Sequence, residues 1–173
     1  MTTRIDYEIR PLAEEEIGLI EQHINFDWAA LGKHRERFVK QQRSSVVYLV
    51  AWYKNVPVGH ALLQWDGSTD KPAASELGRC PDVEDLFVSP DYRSKGIGSM
   101  LLDFAESLAS QQGYSRIGLG VSIDNPRARS LYERRRYRDS GLGEYATGGC
   151  YIDKDGQEQS WEEICNYLIK QLN

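Results

Sequence analysis

The chain has 173 residues, 40% hydrophobic and 27% charged, with a formal net charge of −5, which suits one domain over residues 1–173 with a substantial core. Its acidic balance argues against nucleic acid as a partner, despite the short run Arg134-Arg135-Arg136. Its longest apolar run, residues 46–53, is too short to span a bilayer, and residues 1–6 hold no apolar signal core, so no membrane association and a cytoplasmic location are expected.

Residues 7–10 alternate as a first strand that Pro11 stops, and Glu14, Glu15 and Glu16 suit the first turn of a helix whose face is Ile17, Ile20 and Ile24. A second helix is expected from Asp27 to about Gln42, with Trp28, Leu31, Phe38 and Val39 as apolar positions. Residues 46–53 and 58–65 are rich in β-branched and aromatic side chains around the tight connection Lys54-Asn55-Val56-Pro57, which predicts a hairpin. Residues 66–81, rich in Gly, Ser, Pro and Ala, read as a long loop of the kind that often carries function.

A strand over 83–88 precedes two glycines and a helix from Ile97 to about Gln112, whose Leu101, Leu102, Ala105, Leu108 and Ala109 share one face until Gly113. Residues 116–123 form another strand. Asn125 caps a helix that has Pro126 at its first position and runs to about Arg135, and 137–145 return as a strand. In the last segment Trp161, Ile164, Cys165, Leu168, Ile169 and Leu172 keep helical spacing, while Tyr167-Leu168-Ile169 fits a buried strand; periodicity leaves both open. The order of elements predicts a mixed α/β sheet with helices packed on it.

The segment Arg93-Ser94-Lys95-Gly96-Ile97-Gly98 joins the 83–88 strand to the 97–112 helix. A strand that turns through glycines into a helix N-terminus turns backbone N–H groups and the positive end of the helix dipole towards an anion, and Arg93 and Lys95 add formal charge. The spacing fits neither a Walker loop nor a dinucleotide-binding fingerprint. Taken alone, the hexapeptide reads first as a turn that uses glycine for geometry only. Charge distribution favours the anion: residues 91–138 hold nine Lys/Arg against five Asp/Glu, and the remainder twelve against twenty-one. The acidic remainder suits a cationic second substrate. Cys80, Cys150 and Cys165 lack paired spacing and read as reduced thiols; with His23, His34 and His60 scattered, no metal is expected.

Three separated segments carry a family resemblance: residues 84–98 (Glu-Asp-Leu-Phe-Val-Ser-Pro-Asp-Tyr-Arg-Ser-Lys-Gly-Ile-Gly), then Asn125-Pro126-Arg127-Ala128, then Tyr132-Glu133. Together they resemble the GNAT superfamily of acetyl-CoA-dependent N-acetyltransferases, with residues 84–98 most similar to small-polyamine acetyltransferases. The resemblance implies a single-domain mixed, mostly antiparallel sheet of about seven strands flanked by about four helices, with the last segment as a strand. It implies acetyl-CoA as cosubstrate, its diphosphate held by the amides of Arg93, Ser94, Lys95, Gly96, Ile97, Gly98 and Ser99. It further implies that the main chain of Phe87 and Val88 pairs with the pantetheine arm, that Asn125 lies beside it, and that Tyr132 faces the sulfur. Arg127, with Arg129 and Lys95, is a candidate for the 3′-phosphate.

The chemistry of acetyl transfer to an amine makes its own demands. An alkyl ammonium with pKa near ~10 must lose a proton before it attacks. Glu84 is the candidate base, through water, and Asp85 the candidate for binding the substrate ammonium. Neighbouring strand residues point to opposite faces, so both serve one site only if a bulge splays the strand there, and the resemblance implies such a bulge. Tyr132 is the candidate general acid, because a phenol and an alkyl thiol have comparable pKa values of about 10 and 8.5. Direct transfer in a ternary complex needs no cysteine nucleophile. One departure stands out: Arg136 occupies the place where the superfamily usually has glycine, so the helix end is expected to be strained or rearranged.

The expected activity is acetyl transfer to a primary amine of a small cationic molecule such as a polyamine or amino-sugar antibiotic. Two alternatives stay open: a peptide or protein N-terminal acetyltransferase, and a non-catalytic acyl-CoA-binding regulatory module. A homodimer is allowed.

Overall fold

The computed structural model describes residues 6–26 and 32–173. In chain order its elements are β1 (Tyr7–Pro11), a 3₁₀ turn (Glu14–Glu16) running into α1 (Ile17–His23), α2 (Lys33–Gln42), β2 (Val46–Tyr53), β3 (Val56–Gln64), α3 (Lys71–Leu77), β4 (Asp82–Val88), α4 (Ile97–Gln111), β5 (Arg116–Ser122), α5 (Pro126–Arg134), β6 (Arg138–Asp139), β7 (Tyr145–Ile152) and β8 (Glu158–Gln171). None of the described helices is long and apolar enough to cross a membrane.

The β2–β3 hairpin is buried along nearly its whole length, which its β-branched and aromatic composition requires, because both faces are covered. On one face α4 packs Leu101, Leu102, Ala105 and Ala109 against Leu49, Ala51 and Leu63. On the other, Ile17 and Ile20 of α1 and Phe38 of α2 meet Tyr48, Val50 and Trp52. The sheet runs β1-β2-β3-β4-β5-β8-β6, with β7 paired to β8. Its pairings are antiparallel apart from β4–β5, which is parallel and registers only at Asp82 opposite Gly118. Beyond that point the two strands part, and from Val83 onward β4 has no ladder partner on its β5 side.

The mixed α/β, mostly antiparallel sheet agrees with expectation; the count is eight strands and five helices among the described residues, against seven and four. The additional helix, α3, lies inside the stretch read as loop, entered from Asp70 with Pro72 in its first turn. The expected strand over 137–145 is corrected: Arg138–Asp139 is strand, Gly141 and Gly143, at φ of +84° and +81°, turn the chain, and strand resumes only at Tyr145, where β7 begins. The final segment is a strand of 14 residues, β8. Of the expected 27–42 helix, Lys33–Gln42 is helical, while Asp27, Trp28 and Leu31 lie outside the described residues.

Candidate active site

The site begins with a β-bulge. The β3–β4 register pairs His60 with Phe87 and Leu62 with Glu84, so Asp85 and Leu86 share the place opposite Ala61. Asp85 takes φ = +51°, the left-handed conformation that Asp tolerates better than most side chains. The extra residue changes the phase of the strand. Val83, Leu86 and Val88 pack on the α4 side, whereas Phe87 packs on the α1–α2 side. Glu84 and Asp85 consequently both project on the α1–α2 side, the condition under which one site can use both.

Past the bulge, Arg93 Nε donates to Val88 O at 2.9 Å and closes the loop, and Ser94 and Gly96 take φ of +60° and +83°. Gly96 is the N-cap of α4, and no side chain caps that helix; the first amide with an intrahelical partner is Met100, bonded to Gly96 O at 3.0 Å. The amides of Ile97, Gly98 and Ser99 are therefore the unsatisfied donors of an uncapped helix at its positive end.

Those amides open on a cleft of about 570 Å³ lined by Arg93, Ser94, Gly96, Ile97, Gly98 and Ser99 from the loop and α4, by Phe87 and Val88 from β4, and by Asn125, Arg127 and Tyr132 from α5 and its cap. Leu86, Tyr92, Ala128, Leu131 and Arg134 complete the wall. Lys95 is not part of it: its Nζ donates to Asp91 O at 2.8 Å and sits over the Tyr92 ring. Arg127 Nη2 reaches Ser94 Oγ at 3.1 Å, tying α5 to the loop. Asn125 Oδ1 accepts from Ala128 N at 3.1 Å, the cap that its sequence position predicts.

Tyr132 lies at the cleft wall, 8% exposed, and burial alone pushes its phenol up to about 12, with no charged or hydrogen-bonding partner contributing. It carries its proton throughout the neutral range. The helix that presents it ends in a Schellman motif: Tyr137 N bonds Tyr132 O and Arg136 N bonds Glu133 O, both at 3.0 Å, with Arg136 at φ = +72°. Of the strain or rearrangement expected there, the structure shows the strain. Arginine adopts the glycine conformation, anchored by the fully buried Tyr137, whose hydroxyl donates to Glu106 Oε1 at 3.0 Å.

On the α1–α2 side, Glu84 is half-buried and accepts from two neutral donors, Gln64 Nε2 to Oε2 at 2.9 Å and Thr69 Oγ1 to Oε1 at 2.8 Å. Asp85 pairs with the buried Arg37 of α2. Neither acid lines the cleft that holds Tyr132; β4 stands between the two groups. Arg37 escaped notice in the sequence, where it is one basic residue among several on an amphipathic helix. Burial pushes the Cys80 and Cys165 thiols up to about 11 and 12, so neither is a thiolate at neutral pH.

Residues 12–137 match the model of the acetyltransferase (GNAT) family. Among curated proteins, an uncharacterised N-acetyltransferase of Bacillus subtilis is 42% identical over 64 residues, 36% of this chain and 43% of the relative. The thialysine N-epsilon-acetyltransferase of Bos taurus is 37% identical over 76 residues, 44% of this chain and 41% of the relative. The chain thus spans less than half the length of these relatives. Among solved structures, an N-acetyltransferase from Staphylococcus aureus Mu50 superposes with a TM-score of 0.69 at 17% identity, covering 97% of this chain and 99% of the other. A GNAT family acetyltransferase from Elizabethkingia anophelis with acetyl-CoA bound gives 0.60 at 16% identity, covering 96% and 98%. At those identities the likeness is one of fold.

Proposed function

The chain belongs to the acetyltransferase (GNAT) family, and on that premise we propose that it moves an acetyl group from acetyl-CoA to a primary amine of a small cationic acceptor, by direct attack in a ternary complex. The observation that carries this reading is the uncapped N-terminus of α4 opening on a cleft that also holds Arg93 and Arg127. An anion satisfies those amides and the guanidinium charges together. The diphosphate of coenzyme A suits the amides from Arg93 to Ser99, and the unladdered β5-side edge of β4 at Phe87 and Val88 suits an extended pantetheine chain that adds like a strand.

In this mechanism Glu84 takes, through water, the proton that the substrate ammonium must lose. Asp85, one oxygen of which is held by Arg37, offers the other to the ammonium. A main-chain N–H at the β4 bulge meets the negative charge that develops on the carbonyl oxygen as the C–N bond forms. Tyr132 gives its proton to the sulfur as the C–S bond breaks, and regains one from solvent. The nitrogen loses a second proton to solvent as the amide forms and Glu84 releases its own there, so the two protons lost by the ammonium reappear as the CoA thiol proton and one released to solvent.

The acidic surroundings of Glu84 support a cationic acceptor. Two features that would have favoured a non-catalytic binding module, a missing bulge and a displaced Tyr132 helix end, are absent among the described residues. The test is release of free CoA thiol with a panel of polyamines, aminoglycosides and short peptides. Turnover with the first two groups supports the proposal, turnover with peptides alone moves the acceptor to a polypeptide N-terminus, and no turnover overturns it.

A further inference from the structure

The carboxylate proposed as base has a buried companion. Asp82, two residues before Glu84 on the same face of β4, is 2% exposed, and the Tyr167 hydroxyl of β8 donates to its Oδ1 at 2.6 Å. Tyr167 reaches across β5 because Gly118 leaves the way clear: a Cβ there would lie 2.5 Å from both the tyrosine ring and its hydroxyl. The pattern repeats one step along the same face of β5. A Cβ on Gly120 would lie 2.9 Å from the Tyr145 hydroxyl, which donates to Asp70 Oδ2 at 3.4 Å.

Two phenols thus cross one strand through glycine gaps to hold two carboxyls. Glu84 neighbours both: Thr69, adjacent to Asp70, donates to it, and Asp82 is its electrostatic and hydrogen-bonding neighbour on the same strand. The titratable groups that face Asp82 are Glu84 on its own strand, Cys80 in the segment entering it, Asp70 ahead of α3, Tyr145 of β7 and Tyr167 of β8. From β3 the neighbour is the neutral Gln64, and from β5 it is Gly118. These groups include no cation.

Building on the acetyl-transfer reading, we propose that Asp82 is a positioning residue for the base: aimed by Tyr167, it keeps its proton at neutral pH and donates it in a hydrogen bond to Glu84, so that Glu84 is the ionised member of the pair. Two carboxyls this close do not both ionise in a buried setting. Burial first, and then the charge of Glu84, pushes the Asp82 carboxyl well above the usual range, and Glu84 is the more exposed of the two. A neutral acid that donates to a carboxylate stabilises its charged form and fixes its rotamer. With Gln64, Thr69 and Asp82 all donating, Glu84 is ready to accept a proton in one orientation.

The test is the pH profile of kcat/KM for the wild type, Asp82→Leu, Asp82→Asn and Tyr167→Phe, with the infrared carbonyl stretch of a protonated carboxylic acid recorded at neutral pH. Asp82→Leu removes the donor, so the acid limb moves up by about one pH unit, a loss of about tenfold in rate below the limb. Asp82→Asn still donates to Glu84 and accepts from Tyr167, and returns the limb to its wild-type place. Tyr167→Phe moves the limb the same way by less, and it carries the test with the infrared band if Asp82→Leu fails to fold. The band is present in the wild type and lost in Asp82→Asn.

A uniform fall in rate with the limb unmoved would mean that Asp82 is merely structural, and a downward shift that it is ionised; either overturns the proposal, as does absence of the band. A wild type that turns over while the limb stays fixed leaves the acetyl-transfer reading standing. One that releases no CoA thiol overturns both.

Discussion

Arg37 Nη2 lies 2.5 Å from Asp85 Oδ2, joining α2 to the bulge of β4 across 48 positions of sequence. In the proposed mechanism the pair sets apart the roles of two adjacent acids: Asp85, held by a guanidinium, is the anchor, and Glu84, held by an amide and a hydroxyl, is the proton acceptor. Arg37 is itself packed over the Phe26 and Tyr48 rings, which makes it a rigid partner.

Asp85→Asn keeps a residue that tolerates the left-handed conformation while removing the charge. It leaves the buried Arg37 without a counter-ion, at an expected cost of about 2 kcal/mol in urea unfolding, and it raises the acceptor KM with cofactor affinity unchanged. Glu84→Gln does the reverse: stability holds, and kcat falls roughly 10²-fold. Equal kinetic effects of the two substitutions would contradict the division.

Tyr132→Phe removes the proposed proton donor and nothing that binds. The expected result is a fall in kcat on the order of 10²-fold with acetyl-CoA affinity within twofold. Because burial pushes this phenol up to about 12, its proton is held through neutral and mildly alkaline pH. No alkaline limb below pH 11 should vanish in the variant. An unchanged kcat would remove Tyr132 from the mechanism.

Arg136 holds φ = +72° at the end of α5. Glycine has no Cβ to strain there, so Arg136→Gly is expected to stabilise the fold by roughly 1 kcal/mol, read as a raised urea midpoint with kcat unaltered. A destabilised variant would show that the arginine side chain makes a contact worth more than the strain.

Asp82 carries a stability consequence with a defined sign. A carboxyl raised in the folded state contributes stability that is complete below its unfolded value, about 3.9, and is lost as pH rises through its folded value. Asp82→Asn removes that decline. The stability of the variant relative to wild type, from urea curves at a series of pH values, is expected to grow as pH rises from 4 to 9; a constant difference would mean that Asp82 titrates alike in both states.

The parts of the fold that were legible in the sequence are those where local chemistry and tertiary packing agree. The β2–β3 hairpin, the apolar face of α4 and the Asn125-Pro126 start of α5 each have a residue pattern that the structure uses directly. The bulge at Asp85 could be expected from the chemistry and from the family resemblance, since nothing in Glu84-Asp85-Leu86 itself marks it. α3 was hidden in a Gly- and Ser-rich stretch, although Asp70 followed by Pro72 is a start signal in miniature. The helix-like spacing over 161–172 is accidental: β8 is covered on both faces near its C-terminal end and exposed over residues 158–163, so it shows no clean alternation. Asp82 was illegible as part of a site because the residues gathered around β4, Arg37, Tyr145 and Tyr167, come from α2, β7 and β8, three elements far from β4 in sequence.

The central claim is that main-chain donors opening α4 grip the coenzyme A diphosphate, and titration calorimetry with coenzyme A tests it most directly. The predicted result is saturable binding of one molecule per chain, weakened at least about 100-fold in Gly98→Asp, which sets a carboxylate among the donor amides. No heat of binding in the wild type, or an affinity that Gly98→Asp leaves untouched, would contradict it.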